Sequence, residues 1–290
     1  MSFVKKLYKF LSFEATEPKT FGIFHLISVV ITAFLTTILC KKYKLVSEKT
    51  ERRIAFWVWI VLFIFESYKQ FVYLFSLEDD VLSISYGWVG FPFQLCSAPL
   101  YVLPLIAFLP SGKIREAFVA FYGTFVLLGG IAVLIYPGNV FVETLGINFH
   151  TMIWHGSQIF LGVYFNLRRM YTNRSFNVQK HFLSALPIFL SFVAVALALN
   201  IGMHQYFTAN ALDEEFNMFF ISPYFECIFP LLKTIQAYTP YPVFLFSYIA
   251  VLSLFSFTLI FVENAAVQKL SAKNEKSHTE LTEDRATETI

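Results

Sequence analysis

The stretch GFPFQLCSAPLYVLPLIAFL, residues 90–109, is apolar enough to cross a membrane and yet carries polar groups and three prolines. Gln94, Cys96 and Ser97 lie within four residues of one another. In hydrocarbon, polar and ionisable groups face the interior of a helix bundle because lipid offers them no partner. The stretch therefore predicts a span that is buried among other helices, beside a hydrated pocket.

Two of the prolines strengthen this interpretation. A proline inside a helix removes a backbone hydrogen bond and displaces the carbonyl four residues earlier. Pro99 is expected to free the carbonyl of Leu95, and Pro104 that of Leu100. Each freed carbonyl then needs a donor from a neighbouring helix or from water.

The composition places the whole chain in the membrane. Of the 290 residues 57% are hydrophobic and 14% charged, and the mean hydropathy is +0.60. These values are typical of a polytopic membrane protein. A net charge of +2 gives no indication of a nucleic-acid partner, and three cysteines at irregular spacing predict neither a disulfide framework nor a metal site. No cofactor is expected.

Seven segments are long enough to cross a bilayer core as helices, which predicts an all-α, polytopic bundle of about seven transmembrane helices. The segments are 21–40, 54–75, 90–109, 117–136, 150–167, 181–200 and 241–262. Residues 1–20 are predicted as an interfacial N-terminal segment, 21–262 as the membrane domain, and 263–290 as a polar, disordered cytoplasmic tail. The connection 201–240 is expected to fold back onto the outer end. A re-entrant segment near 222–240 is an alternative that hydropathy does not exclude.

Loop charges predict the orientation in the cell membrane. One side of the seven-span arrangement holds sixteen lysines and arginines, and the other holds five. Because basic loops stay in the cytoplasm, the N-terminus is expected outside and the C-terminus inside.

Polar side chains within the spans cluster in the predicted outer half. Thr151, His155 and Gln158 share one face of the fifth span, and Cys96 lies at a similar depth in the third. The second span adds a polar stripe that consists of Glu66, Lys69 and Gln70. These residues predict one polar cavity, although a packing cysteine, a structural histidine and a structural Glu66–Lys69 ion pair are the simpler explanations of each residue alone.

A cysteine beside a histidine fits covalent acyl transfer. The imidazole activates the thiol as a thiolate, which attacks an ester and holds the acyl group as a thioester. The N–H groups of Gln94 or Gln158 are candidates to stabilise the oxyanion. Gln94 lies about 200° around a helix from Cys96, so the two are expected to meet different neighbours.

Three short motifs resemble a known family. The segments FPFQLCS at 91–97, WHG at 154–156 and FNMFFISP at 216–223 resemble motifs of the YwaF-like bacterial integral membrane proteins. That family is similar to eukaryotic transmembrane protein 164, which is described as a phospholipid acyltransferase with a membrane cysteine and histidine. The resemblance covers roughly residues 20–262.

The resemblance implies Cys96 as nucleophile, His155 as base and membrane lipids as substrates. It also adds Asn217, which begins the family's Asn–Tyr element and is followed here by Met218. Gln94 stands where the family commonly has a histidine.

Two other functions stay open. In a transporter, Glu66, Lys69, His155 and Gln158 would bind a solute or relay protons. The absence of a sequence repeat and the confinement of polar groups to one half argue against a transporter. The third possibility is a noncatalytic membrane scaffold. The oligomeric state is not predicted.

Overall fold

The computed structural model describes residues 3–41, 47–138, 140–173 and 175–287, with side chains through residue 272. Helices dominate the described chain and its two strands form one small hairpin, so the all-α prediction is confirmed. Its helices are α1 Phe3–Leu11, α2 Ile23–Lys41, α3 Glu48–Leu74, α4 Pro99–Phe108, α5 Lys113–Phe121, α6 Leu127–Ile135, α7 Leu145–Thr172, α8 Val178–Ala209, α9 Pro230–Tyr238 and α10 Tyr241–Thr287.

Five helices in the described ranges are long and apolar enough to cross a membrane. They make the chain an integral membrane protein. One of them is composite, because α5 and α6 are joined by the π-helical segment Tyr122–Val126 into a continuous helix. The five are α2, α3, the α5–α6 helix, α8 and the part of α10 from Tyr241 to Ala272.

The third predicted span differs from the expectation of one long helix. α4 has only ten residues and begins at Pro99, where a proline fits because the first helical turn needs no N–H donor. Residues before it form the 3₁₀ turns Trp88–Gly90 and Leu95–Ser97. The prediction that Pro99 frees a carbonyl inside a helix is therefore wrong. Because Cys96 lies in a 3₁₀ turn, its predicted depth along an α-helix does not apply. The predicted angle of about 200° between Gln94 and Cys96 does not apply for the same reason.

The expectation for Pro104 is confirmed. This proline lies inside α4, and the carbonyl of Leu100 accepts a hydrogen bond from Nε1 of Trp59 on α3, at 3.0 Å. A neighbouring helix thus supplies the donor that the proline removes.

The fifth predicted span corresponds to α7, the central helix of the bundle. It packs against α2, α3, α5, α6, α10 and the π-helical segment, and more than half of its residues are buried. α7 is absent from the five apolar helices because it carries many polar side chains. Protein rather than lipid surrounds them, so they meet the rule that intramembrane polar groups face the bundle interior.

Close packing of α6 on α7 depends on small residues. A Cβ atom added at Gly130 would lie 2.8 Å from Cβ of Gln158 and 2.9 Å from the carbonyl oxygen of His155. One added at Gly162 would lie 2.8 Å from Cβ of Leu127. Glycine at these two positions lets the helices approach closely, as in other membrane bundles.

One end of the bundle, which we term the hairpin end, carries the antiparallel strands β1 Phe75–Glu78 and β2 Val81–Ile84. α1 is attached there, because Lys5 and Lys9 each place Nζ 2.6 Å from a carboxylate oxygen of Asp80. The hydrogen bonds from the two lysines lower the pKa of Asp80 to about 2.

The opposite end, the arginine end, holds a buried ion network that the sequence analysis did not predict. The carboxylate of Glu51 on α3 is fully buried and contacts the guanidinium groups of Arg115, Arg168 and Arg169. Nη2 of Arg115 lies 2.5 Å from Glu51 Oε1, and Arg169 also contacts Glu116, at 2.9 Å. The network joins α3, α5 and α7.

The connection after α8 covers the hairpin end, as expected. Both amide atoms of Asn200 bind the backbone of Met218, which fixes the connection to α8. The ring of Phe216 packs against Trp88 and Phe91. A short helix, α9, occupies about half of the segment 222–240, which was an open candidate for a re-entrant segment. The backbone of α10 continues as helix past the predicted span end at 262, and the domain boundaries stay predictions.

Candidate functional site

The turn that contains Cys96 is bonded directly to the central helix. The backbone carbonyl of Cys96 accepts hydrogen bonds from Nε1 of Trp154 at 2.6 Å and from Nε2 of Gln158 at 2.5 Å. These donors lie one turn apart on α7 and flank His155 in the chain. The structure therefore brings the cysteine turn and the histidine turn together, and the approach of the Cys96 thiol to the His155 ring stays a prediction.

His155 is held in a defined orientation. Its Nδ1 lies 2.7 Å from the carbonyl oxygen of Thr151, one turn earlier. A carbonyl only accepts, so Nδ1 carries the hydrogen and Nε2 carries the lone pair in the neutral ring. Nε2 is buried and has no hydrogen-bond partner among the described residues. In this tautomer Nε2 is the nitrogen that can accept a proton as a general base.

Glu66, which is only 4% exposed, lies at the centre of a second group of polar side chains. Its carboxylate accepts from Nζ of Lys69 at 2.9 Å and from Nε2 of Gln70 at 2.7 Å. The third contact is Nε2 of His150 on α7, at 3.3 Å. The predicted Glu66–Lys69 pair is thus present and reaches the central helix through His150.

His150 connects this group to the cysteine turn. Its ring stacks on the indole of Trp154, with ring centroids 5.0 Å apart and planes inclined by 23°, and the indole in turn donates to Cys96. Cys96 is within electrostatic range of both Glu66 and Lys69. His155 is within range of Lys69 as well. The charge of Lys69 therefore acts on both predicted catalytic residues.

The predicted residues Gln70, Gln94 and Asn217 support the wall of the site. Gln70 donates to the carbonyl of Gly90 at 2.8 Å and accepts from the hydroxyl of Tyr86 at 2.6 Å. Gln94 donates to the carbonyl of Asn217 at 2.9 Å and accepts from a backbone N–H. Gln70 and Gln94 thus fix the irregular segment before Cys96, and Asn217 contributes a backbone carbonyl to it.

The expected oxyanion donors serve other acceptors. Nε2 of Gln158 donates to the carbonyl of Cys96, and Nε2 of Gln94 donates to Asn217. Because the segment around Cys96 is not an α-helix, both side chains can reach backbone groups that a regular helix would satisfy itself. Their role in this structure is to fix the backbone.

Sequence reasoning missed His150, although this residue begins the fifth predicted span. Hydropathy locates a span but does not say which of its faces meets the helix that carries Glu66. A histidine within a span was the available signal, since such residues usually line the bundle interior.

The prediction that polar groups occupy only one half of the membrane is wrong. α7 also buries Asn166 and Arg169, close to the arginine end. The carboxyl group of Glu263 on α10 joins them there through Asn166. Because the flanking helices bury α7 on several sides, it accommodates polar residues along its whole length.

The cysteines at 40, 96 and 227 are free thiols. The described residues contain no group of three or more histidine, cysteine or acidic side chains suited to hold a metal ion.

No protein-family model, curated protein or solved structure matches the chain. The YwaF-like resemblance therefore remains a prediction from the three short motifs.

Proposed function

We propose that the protein transfers acyl groups between membrane lipids through a thioester on Cys96, with His155 as general base. One observation carries the proposal. His155 presents an unpartnered, buried Nε2 on the same turn of α7 that binds the backbone of Cys96. A buried lone pair without a donor is costly to maintain. This cost supports a functional role for Nε2 of His155 as a proton acceptor.

In the proposed first step, Nε2 of His155 takes the thiol proton and the Cys96 thiolate attacks the ester carbonyl of a phospholipid. The carbon–oxygen bond breaks, and the departing lyso-lipid oxygen takes the proton from the imidazolium. In the second step His155 deprotonates an acceptor hydroxyl, whose oxygen attacks the thioester. The carbon–sulfur bond breaks, and the imidazolium of His155 returns its proton to the departing thiolate.

Lys69 and Glu66 have supporting roles in this proposal. The ammonium group of Lys69 favours the thiolate of Cys96 by opposite charge. Glu66 fixes the position of Lys69 through its carboxylate, at 2.9 Å. His150 and Trp154 extend from Glu66 to the cysteine turn and keep its backbone in place.

The test is intact-mass measurement after incubation of the purified protein with phospholipid vesicles. Wild type is expected to gain the mass of one acyl chain, which hydroxylamine releases at neutral pH because the adduct is a thioester. Cys96→Ala should lose both adduct and turnover. Cys227→Ala is the matched control, since Cys227 is a buried free thiol on the connection after α8, and this variant should be acylated at Cys96 as wild type is.

His155→Ala should slow acylation on the order of 10²–10⁴-fold, the usual contribution of a general base. A well-folded Cys96→Ala protein with full lipid turnover would exclude the mechanism.

A second candidate is the conduction of a small solute or of protons along α7. The specific observation is that buried polar residues extend from Asn148 to Arg169 along this helix, as a pathway between the two ends requires. This function predicts no acyl adduct, unchanged flux in Cys96→Ala and the largest losses of flux in Glu66→Gln. Flux measurements in vesicles that contain either variant separate the two candidates.

A further inference from the structure

A second buried polar cluster lies on α7, away from the cysteine turn. Asn166 is eleven residues after His155, which is roughly 16 Å along a helix. Its Nδ2 donates to the carbonyl of Gly123 at 2.7 Å and to Oε2 of Glu263 on α10 at 2.8 Å. The cluster therefore joins α7, α10 and the π-helical segment.

The π-helical segment explains why Asn166 reaches this position. A π-turn interrupts the regular backbone ladder and frequently occurs at functional sites, and here the carbonyl of Gly123 accepts from a side chain. The absence of a side chain at Gly123 is also required. An added Cβ atom would lie 2.0 Å from Oδ1 of Asn166.

Two oxygen atoms of this cluster have no donor. Oε1 of Glu263 and Oδ1 of Asn166 are both buried and without a hydrogen-bond partner in the described part of the chain. Nδ2 of Asn166 has two hydrogens, and both are used. An ionised carboxylate in this setting would be a buried charge with one oxygen unsatisfied, which is costly in a membrane.

Among the residues that the structure describes, the surroundings of Glu263 supply no compensating cation. Asn166 from α7 is its hydrogen-bond partner, Gly123 contributes a carbonyl to the same cluster, and the thiol of Cys40 from α2 is within electrostatic range. No ion pair involves Glu263 among the residues that the structure describes. By contrast, Glu51 contacts three arginines and Glu66 contacts Lys69.

We propose that Glu263 and Asn166 form a proton-binding site, in which the Glu263 carboxyl group holds its proton at neutral pH. The bound proton removes the buried charge and turns one carboxyl oxygen into a donor. The other carboxyl oxygen, Oε2, is the acceptor, because it accepts the hydrogen bond from Nδ2 of Asn166. The site is independent of the chemistry proposed for Cys96.

The experiment is infrared difference spectroscopy of the full-length protein in lipid vesicles at neutral pH. The wild-type spectrum minus that of Glu263→Gln should contain the C=O stretch of a protonated carboxyl group, shifted in deuterated water. At strongly alkaline pH this band should be replaced by the two carboxylate bands. Glu66→Gln is the matched control, and its difference spectrum should contain carboxylate bands only, because Glu66 is paired with Lys69.

Glutamine has the shape of the protonated carboxyl group and can donate a hydrogen bond, so Glu263→Gln should keep the melting temperature of wild type. A difference spectrum with carboxylate bands at neutral pH would overturn the proposal, since the group would then be ionised. Carboxylate bands that shift when sodium replaces potassium would assign a cation site instead.

A chemical measurement on the unaltered protein provides a second test. Dicyclohexylcarbodiimide adds to protonated carboxyl groups in apolar surroundings and leaves a stable N-acylurea. Peptide mass mapping should find this adduct at Glu263 and not at Glu51 or Glu66. Modification of Glu66 without modification of Glu263 would overturn the proposal as well.

Discussion

Among the individual residues, Glu51 lies at the centre of the buried ion network. Its carboxylate is fully buried and contacts three guanidinium groups. Glu51→Gln removes the charge and leaves Arg115 and Arg169 buried without it. Loss of one member of a buried ion pair typically costs about 3–5 kcal/mol, and we expect a loss of this size in the free energy of unfolding, measured in a denaturing detergent series.

Glu48 supplies the matched control at the same end of α3. Its side chain is 39% exposed, pairs with Arg52 at 2.6 Å and approaches Arg115 only to 3.7 Å. An exposed ion pair contributes about 0–1 kcal/mol, so Glu48→Gln should remain close to wild type. Equal losses in the two variants would show that burial of Glu51 has no particular energetic role.

At the scale of the helices, the packing of α6 against α7 positions the candidate site. Gly130 faces Gln158 and the backbone of His155, and Gln158 binds the cysteine turn. Gly130→Ala would introduce a Cβ at 2.8 Å from Gln158, so the helices must separate. We expect a loss of about 1–3 kcal/mol in stability, as for other overpacked cores, together with slower Cys96 acylation.

Gly202 in α8 is the control for this substitution. An added Cβ atom there has no heavy atom within 4 Å, and alanine favours helix over glycine by about 0.5–1 kcal/mol. Gly202→Ala should therefore leave acylation unchanged and keep or raise the melting temperature. If both variants behaved alike, close approach of α6 and α7 would not control the site.

For the molecule as a whole, the alternation of helices places the hairpin end and the arginine end on opposite membrane faces. The predicted orientation puts the hairpin end outside, because basic residues concentrate at the other end. Single cysteines at Glu78 and Lys113, in a protein without native cysteines, should react with an impermeant thiol reagent from opposite sides. Both positions are exposed.

In intact cells, the cysteine at position 78 should react and that at 113 only after permeabilisation. Reaction of both in intact cells would contradict an odd number of membrane crossings between positions 78 and 113. Reaction at position 113 alone would show that the protein has the opposite orientation in the membrane, with the same arrangement of helices.

The amino-acid sequence by itself determined the class of the protein and the positions of all its predicted spans except the third. Hydropathy is a property of a local segment, so long apolar stretches identify membrane helices without knowledge of their neighbours. Local chemistry also sufficed for Pro104, whose effect on the Leu100 carbonyl follows from ring geometry. The i, i+3 spacing of Glu66 and Lys69 likewise gave their pairing.

Only the tertiary structure decided which faces of the helices meet. The contacts of His150 with Glu66, of Asn166 with Glu263 and of Glu51 with the arginines join residues distant in the chain. They depend on the rotation of each helix about its axis, which packing fixes. The low hydropathy of α7 has the same origin, because a helix surrounded by protein needs no apolar surface for lipid.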